Sequence, residues 1–375
     1  MELGGIATFG AFNACFGFNG EYDPAVGGTS PDPSKVISDD VIYFAEPMFS
    51  DGAIAQAVDT VYAAGIPYFS SAGNNARLSY EADYREIEDF GNNGSNLNRS
   101  KGKGQGPNLI RVHDFDEGAD DDSTQTVRIF PSGGQAVIVF AFQWEQPFFI
   151  DTIFANLLAG ASIPDALANA KSATTDLDFL IYKDNNTLVQ LCPPGVAAGI
   201  TCQLSGVANI GGDPFEFAML FYTGPPSKAF ADFQIRVVNS GQVDGEAVPT
   251  RIKYVPFEIA GFADIIEHDS ESGTSYGHAN AAGAASIGAA SWYATEEWTG
   301  GANTADPDGD TFDACIPACL NDFSSAGGVP IFFDALGNRL TSATVRENPL
   351  VTGPDGGNTT FFSFDSSWDD DNSNG

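Results

Sequence analysis

Basic residues are scarce in this sequence. Its 375 residues include 16 Lys and Arg against 50 Asp and Glu, which gives a formal net charge of −34. Contact with phosphate groups requires a basic surface, so this composition argues against nucleic acid and anionic membranes as partners. No apolar run approaches the roughly 20 residues of a membrane-spanning helix. Apolar residues still make up 43% of the chain, enough to form a hydrophobic core.

Histidine and cysteine are also rare, with three and five residues in the whole chain. The cysteines lack the paired Cys-x-x-Cys spacing of a structural zinc site. Cys192 and Cys202 flank one short loop, and Cys315 and Cys319 flank another. Both pairs are candidate disulfides, which form in oxidising compartments, so the sequence predicts an extracellular or cell-surface location.

One acidic cluster has a spacing that suits a cation. Its carboxylates recur at nearly every second position around a glycine, at Asp306, Asp308, Asp310 and Asp313. Such a loop can surround a hard cation with oxygen ligands, which makes structural calcium the one candidate ion. A solvated acidic loop is the simpler interpretation. We expect no cofactor to be required.

Residues 36–69 have the pattern of a strand, a helix and a second strand. Val36–Phe49 are apolar and β-branched, as in a strand buried between layers. One helix face is then predicted, with Ser50 or Asp51 as N-cap and Gly65 as the stop; its apolar positions are Ile54, Ala57, Val58, Val61 and Tyr62. Strand, helix and strand in so few residues predict a crossover unit of a parallel sheet.

The second strand runs into a turn of small residues, Ser71, Ala72 and Gly73, that ends at Asn74. Small side chains let a substrate approach the backbone closely. An asparagine amide held there can donate to an oxygen that gains negative charge during reaction, as in an oxyanion hole. An ordinary turn capped by Asn74 is the alternative.

Four blocks in chain order resemble the subtilisin-like serine peptidases (subtilases). They are Ser-Ala-Gly-Asn at 71–74, Ser-Ile-Gly-Ala at 286–289, Phe-Ser-Ser at 323–325 and Asn-Pro-Leu-Val at 348–351. The likeness covers roughly residues 1–100 and 256–365. It implies an α/β fold with a parallel sheet and flanking helices, the oxyanion role for Asn74, and a peptide or protein substrate. By the same likeness, Val41, Ile42 and Tyr43 lie on a strand that pairs with substrate, beside Ser71, Ala72 and Gly73.

The catalytic triad of that family has no match here. Its Asp and its His-Gly pair should precede the oxyanion Asn, yet the first histidine is His113. The Ser of the family's Gly-Thr-Ser turn belongs near the end of the chain, after the blocks described above. Gly273-Thr274-Ser275 matches the Gly-Thr-Ser sequence of that turn, but it lies before three of those blocks. Ser275 is therefore a candidate nucleophile of low probability. We therefore expect a fragment or truncated form, inactive as an isolated chain.

Residues 101–255 have a different pattern. Short apolar or alternating runs recur between Gly, Pro and Asp clusters, which is typical of an antiparallel β-sandwich. The runs are 126–130, 136–144, 177–182, 215–222, 233–238 and 251–255, with an Ala/Leu-rich segment at 151–172 that predicts a short helix. This region resembles the pre-peptidase C-terminal type of sandwich. The predicted domains are residues 1–100 and 256–375 of a subtilisin-like domain, with 101–255 inserted.

The sequence thus predicts part of a secreted serine endopeptidase. A non-catalytic extracellular binding or structural protein derived from a peptidase fold is the alternative. A parallel sheet that lacks its early strands would expose apolar surface, which predicts self-association or a partner chain that completes the fold.

Overall fold

A computed structural model describes residues 35–90, 109–183, 187–190, 201–204, 208–225, 228–291, 304–305, 311–312 and 320–356 of the chain. Within these residues, the fold combines a parallel sheet, antiparallel sheets and three α-helices. The chain is therefore of mixed α/β character.

The elements are as follows in chain order. The strands are β1 Ile37–Asp39, β2 Tyr68–Ser71, β3 Tyr80–Asp83, β4 Glu86–Phe90, β5 Leu109–His113, β6 Gln125–Phe130, β7 Gln135–Trp144, β8 Thr175–Lys183, β9 Thr187–Leu188, β10 Cys202–Leu204, β11 Phe215–Thr223, β12 Ala231–Gln242, β13 Arg251–Ala260, β14 Phe262–Ile265, β15 Ala284–Ser291, β16 Thr304–Ala305, β17 Thr311–Phe312, β18 Pro330–Phe333, β19 Arg339–Val345 and β20 Val351–Asp355. The α-helices are α1 Ala53–Ala63, α2 Phe149–Leu158 and α3 Ile163–Asn169, and Gly277–Asn280 form a 3₁₀ turn.

The parallel sheet has the order β1-β2-β15-β20. Helix α1 connects β1 to β2, as its apolar spacing predicts. Its face packs on the sheet through Ala55, Val58 and Val61, which contact Tyr68 and Ala284. Burial of such a face supplies most of the stability of a short helix. The predicted crossover unit is present.

The first strand is shorter than predicted. Pairing between β1 and β2 stops at Asp39 opposite Ser70, and the backbone then turns, with the Glu46 N–H donating to the Tyr43 carbonyl at 3.0 Å. Val41 and Ile42 lie outside any strand and are each 45% exposed. The prediction that Val41, Ile42 and Tyr43 lie on a strand is therefore wrong, because the chain leaves the sheet at the Asp39-Asp40 pair.

The start of α1 also differs from the prediction. Gly52, and not Ser50 or Asp51, is the N-cap, and it supplies no side-chain oxygen. The carboxylate of Asp151, in α2, accepts a hydrogen bond from the Ala53 N–H at 2.6 Å instead. A residue 98 positions away thus provides the cap that the local sequence lacks.

Two antiparallel sheets pack face to face around the largest core. One has the order β10-β11-β7-β13-β3, and the other contains β14-β6-β12-β5-β4 with β8 paired to β12. Each predicted run of the sandwich falls within a strand. Antiparallel pairing extends from Tyr80 to Ile265, beyond the limits of residues 101 and 255 expected for the inserted sandwich. The domain boundaries themselves stay a prediction. The predicted helix at 151–172 is the pair α2 and α3.

The sheet that contains β7 and β13 is covered on both faces. Its inner face holds Phe140, Phe142 and Tyr254 within the sandwich. Its outer face holds Val139, Val255 and Phe257, which pack against Met48 and Tyr276 from the α/β part. This second core joins the sandwich to the segments around the parallel sheet.

No helix within the described ranges is long and apolar enough to cross a membrane. Cys202 is buried and takes part in a disulfide bond.

Asp151 gives the fold a pH-dependent contact. Burial raises the pKa of its carboxyl to about 7, although the bond from Ala53 opposes this. Because the folded pKa exceeds the unfolded one, the free energy of unfolding falls as pH rises from about 4 to about 7. We expect Asp151→Asn to be more stable than the wild type at pH 8, by up to about 4 kcal/mol at about 1.4 kcal/mol per pKa unit.

Urea unfolding at pH 4.5 and pH 8 measures this difference, which should be several-fold smaller at the lower pH. Asp244→Asn is the matched control, since its side chain is exposed and the same charge is removed. An equal effect of Asp151→Asn at both pH values would contradict the assignment.

Candidate functional site

The turn that follows β2 lies at the carboxyl edge of the parallel sheet. Strand β2 is internal, between β1 and β15. The Ala72 N–H donates to the Ile287 carbonyl at 2.9 Å, which extends the pairing to the start of the turn. Asn74 follows and is exposed. Carboxyl edges of parallel sheets are where α/β folds place ligand sites.

Ser325 binds this turn through two hydrogen bonds. Its N–H donates to the Gly73 carbonyl at 2.9 Å, and its hydroxyl accepts from the Asn75 N–H at 3.0 Å. Gly73 has φ of 103°, and an added Cβ would lie 2.9 Å from the Ser325 hydroxyl. Only glycine suits that backbone conformation without strain. The turn is therefore a rigid platform.

The two adjacent asparagines have different surroundings. The Asn75 side chain donates to the Pro256 carbonyl at 2.7 Å and thereby ties the turn to β13. The Asn74 side chain is on the surface. Of the two, Asn74 has the amide that a bound molecule can reach.

A buried histidine lies between two carboxylates at the same edge. His278 is 2% exposed, and its Nδ1 lies 2.6 Å from Glu46 Oε2. Its Nε2 lies 3.4 Å from Asp39 Oδ2, an ion-pair distance without hydrogen-bond geometry. Asp39 also accepts from Ser70 at 2.6 Å and from the Tyr68 hydroxyl. Since Asp39 pairs in register with Ser70, this cluster lies beside the Asn74 turn.

The charges of this cluster stabilise one another. Burial disfavours the imidazolium, but the charges of Asp39 and Glu46, together with the hydrogen bond to Glu46, outweigh burial and raise the pKa of His278 to about 10. Burial likewise opposes ionisation of Asp39, yet His278 holds the pKa of Asp39 below its usual range. Burial raises the pKa of Glu46. A protonated His278 has no free lone pair, so it cannot act as a general base in this arrangement.

The sandwich positions Glu46. Gln143 of β7 donates to the Glu46 carbonyl at 2.7 Å and accepts from the Met48 N–H at 2.7 Å. Tyr276 donates to the Phe44 carbonyl at 3.2 Å. The loop that carries Glu46 is thus fixed from both sides.

Ser275 does not join an assembled nucleophile site. It is 1% exposed, and its hydroxyl has no hydrogen-bond partner within the described residues. Its N–H donates to the Ala326 carbonyl at 3.0 Å. A serine enclosed in this way offers no route to substrate.

Several predicted residues lie outside the described part of the chain. These are the candidate calcium ligands Asp306, Asp308, Asp310 and Asp313, and Cys192, Cys315 and Cys319. Among the residues that the structure does describe, no group of three or more His, Cys, Asp or Glu side chains is placed to hold a metal ion.

Sequence reasoning missed Asp39 and Glu46 as partners of His278. Glu46 and His278 are 232 positions apart, so no local spacing joins them. The one available signal was the aspartate at the end of an otherwise apolar strand, because a carboxylate there requires a partner.

No protein-family model matches the chain, and no curated protein matches it. Among solved structures, it is similar to the CspB protease of Clostridium perfringens, with a TM-score of 0.34 and 8% sequence identity. The alignment covers 83% of this chain and 49% of that protein, so the chain spans about half of its length. At this similarity the likeness assigns no role to any residue.

His278 is expected to be a major contributor to stability. His278→Asn would leave the buried Glu46 and the partly buried Asp39 without their cation and should lower the free energy of unfolding by about 3–5 kcal/mol. The raised pKa of His278 means that its contribution is complete below pH 6.5 and is lost as the pH rises toward about 10. Urea unfolding between pH 6 and 10 measures the free energy of unfolding of wild type and variant, and the difference between them should become smaller as the pH rises.

His268→Asn is the control for this substitution. His268 pairs with Asp122 at 3.1 Å but is partly exposed, and asparagine tolerates its φ of 50°. Exposed ion pairs contribute about 1 kcal/mol or less. An equal loss in the free energy of unfolding for the two variants would show that the position of His278 between Asp39 and Glu46 adds nothing to stability.

Proposed function

We propose that this chain is part of a subtilisin-like serine endopeptidase, with Asn74 as the oxyanion-hole donor. The Asp, His and Ser of the triad would come from sequence that flanks this chain or from a partner chain. Peptide hydrolysis would then proceed through an acyl-enzyme, and the Asn74 amide would donate to the oxyanion of the tetrahedral intermediate.

The exposed position of Asn74 carries this proposal. The side chain of its neighbour Asn75 is hydrogen-bonded to the Pro256 carbonyl. The backbone on either side of Asn74 is fixed by Ser325, which packs against Gly73 and accepts from the Asn75 N–H. An oxyanion donor must be held in place before the reaction yet be free of protein partners. The backbone at Asn74 is held at the end of an internal parallel strand, and its side chain is exposed and has no hydrogen-bond partner among the described residues.

Extracellular location belongs to the same proposal. The disulfide at Cys202 supports it, since disulfides persist in oxidising compartments. Peptide would approach the edge formed by Ser71, Ala72, Gly73 and Asn74, past the exposed Val41 and Ile42.

A non-catalytic peptide-binding or structural protein is the competing function. The enclosed Ser275 and the doubly paired His278 favour it, because neither is free for proton transfer. The two functions differ in one requirement. Only the peptidase needs an upstream Asp and His-Gly and a downstream Gly-Thr-Ser-x-Ala-x-Pro in the polypeptide or its partner.

The matched pair Asn74→Ala and Asn75→Ala tests the proposal. In the longest natural polypeptide that contains this chain, Asn74→Ala should lower kcat for a fluorogenic peptide by about 10²–10³-fold, with KM and melting temperature little changed. Asn75→Ala should instead lower the melting temperature, because it leaves the Pro256 carbonyl without its donor.

Unchanged kcat in a folded Asn74→Ala protein would reject Asn74 as the oxyanion donor. Absence of both triad segments, together with peptide binding and no cleavage, would favour the non-catalytic function.

A further inference from the structure

A buried lysine contacts a serine hydroxyl in a cluster that does not include His278. Lys253 of β13 is 0% exposed, and its Nζ lies 2.6 Å from the hydroxyl oxygen of Ser272. Ser272 is half-buried and follows the exposed Glu271. The hydroxyl of a half-buried serine is thus joined to a fully buried amine.

A second serine completes the hydrogen-bond chain. Ser79 is fully buried, and its hydroxyl oxygen lies 2.6 Å from that of Ser272. The Ser79 hydroxyl donates to the Ser272 carbonyl at 2.9 Å. Lys253 reaches Ser79 at 3.4 Å and Glu81 at 3.3 Å. Every polar group of this cluster has a partner, so the geometry is well determined.

The backbone around Ser272 is held rigidly. The N–H of Thr274 donates to the Ala326 carbonyl at 2.8 Å, and Gly273 packs directly against the Gly327 backbone. Glu271, which precedes Ser272, has φ of 43°, and its carbonyl accepts from Arg77 at 3.1 Å. A non-glycine residue in that conformation is strained and persists only where its surroundings fix it, as at functional sites.

We propose that Ser272 is a nucleophile activated by Lys253, in a Ser–Lys dyad that acts on carboxylic esters or similarly activated acyl compounds. Neutral Lys253 takes the Ser272 hydroxyl proton as the oxygen bonds to the acyl carbon. The ammonium then returns that proton to the departing alkoxide, which leaves as an alcohol. A water molecule in the place of the departed alcohol then gives a proton to Lys253 as its oxygen bonds to the acyl carbon. The ammonium returns this proton to the Ser272 oxygen as the bond to the acyl carbon breaks, so the hydroxyl is restored and a carboxylic acid is released.

The charges around Lys253 support its role as a base. Burial lowers the pKa of Lys253 to about 8, against the opposing effect of Glu81. Arg251 on the same strand lowers it further and is itself paired with Glu81 and Asp83 on β3. On the other side, β7 places the uncharged Gln143 opposite Lys253. A fraction of the lysine is therefore neutral near pH 7, and that fraction grows toward pH 9.

Acylation by p-nitrophenyl acetate and labelling by a fluorophosphonate test the dyad on the isolated chain. Mass spectrometry of the labelled protein should place the adduct on Ser272, with a labelling rate that rises through pH 8. Ser272→Ala should abolish the adduct. Ser342→Ala, which removes an exposed serine of β19, should leave the rate within about twofold.

Lys253→Met should slow labelling by at least about 100-fold, a typical contribution of a general base. Because a buried lysine can also be needed for folding, Glu81→Gln provides a second measurement. It removes the carboxylate that raises the pKa of Lys253, so the midpoint of the pH profile should move to lower pH. A lysine with a purely structural role would give no such shift.

A folded protein with no adduct, an adduct on another serine, or a rate independent of pH would overturn the dyad. Labelling of Ser272 is measured by mass spectrometry of the adduct and not by peptide cleavage, so its outcome is separate from the outcome for the oxyanion hole.

Discussion

The ion pair of His278 with Asp39 and Glu46 is the constraint on which the edge of the parallel sheet depends. A charged group buried without a partner is so costly that each of these three residues fixes the other two. Asp39 is the last residue of β1, and Glu46 lies in the turn after it. His278 lies in the 3₁₀ turn that precedes β15. One cation therefore joins the end of β1 and the turn after it to a segment 232 positions beyond Glu46, and the loop between Asp39 and Glu46 has little freedom.

The turn at Asn74 is also rigid, and this explains why the side chains of Asn74 and Asn75 have such different surroundings. The backbone from Ser71 to Asn75 is bonded to Ile287 and Ser325, and Asn75 is bonded to Pro256. The platform is complete without any contribution from the Asn74 side chain. Within the described part of the chain, the Asn74 amide lies on a fixed backbone and has no protein partner. Such an amide is expected of a binding position, whereas a structural amide is satisfied as Asn75 is.

Local patterns were enough for the elements and insufficient for the site. The spacing of Ile54, Val58 and Val61 predicted α1, and the runs from 126 to 255 predicted strands, because each element buries one face. Helix capping by Asp151 and the pairing of His278 with Glu46 depend on contacts 98 and 232 positions apart. Such contacts follow from the packing of the sandwich on the parallel sheet, which no short window of sequence contains.

The scarcity of basic residues and their placement are connected. In a chain with 50 acidic and 16 basic side chains, carboxylates repel one another and favour expansion. Three cations lie where segments from distant parts of the chain meet: His278 between Asp39 and Glu46, Lys253 against Glu81, and Arg346 on Asp51. A cation that is enclosed with carboxylates interacts through protein and is screened by salt much less than one on the surface. These three positive charges therefore keep their attraction for the carboxylates at salt concentrations that screen surface pairs.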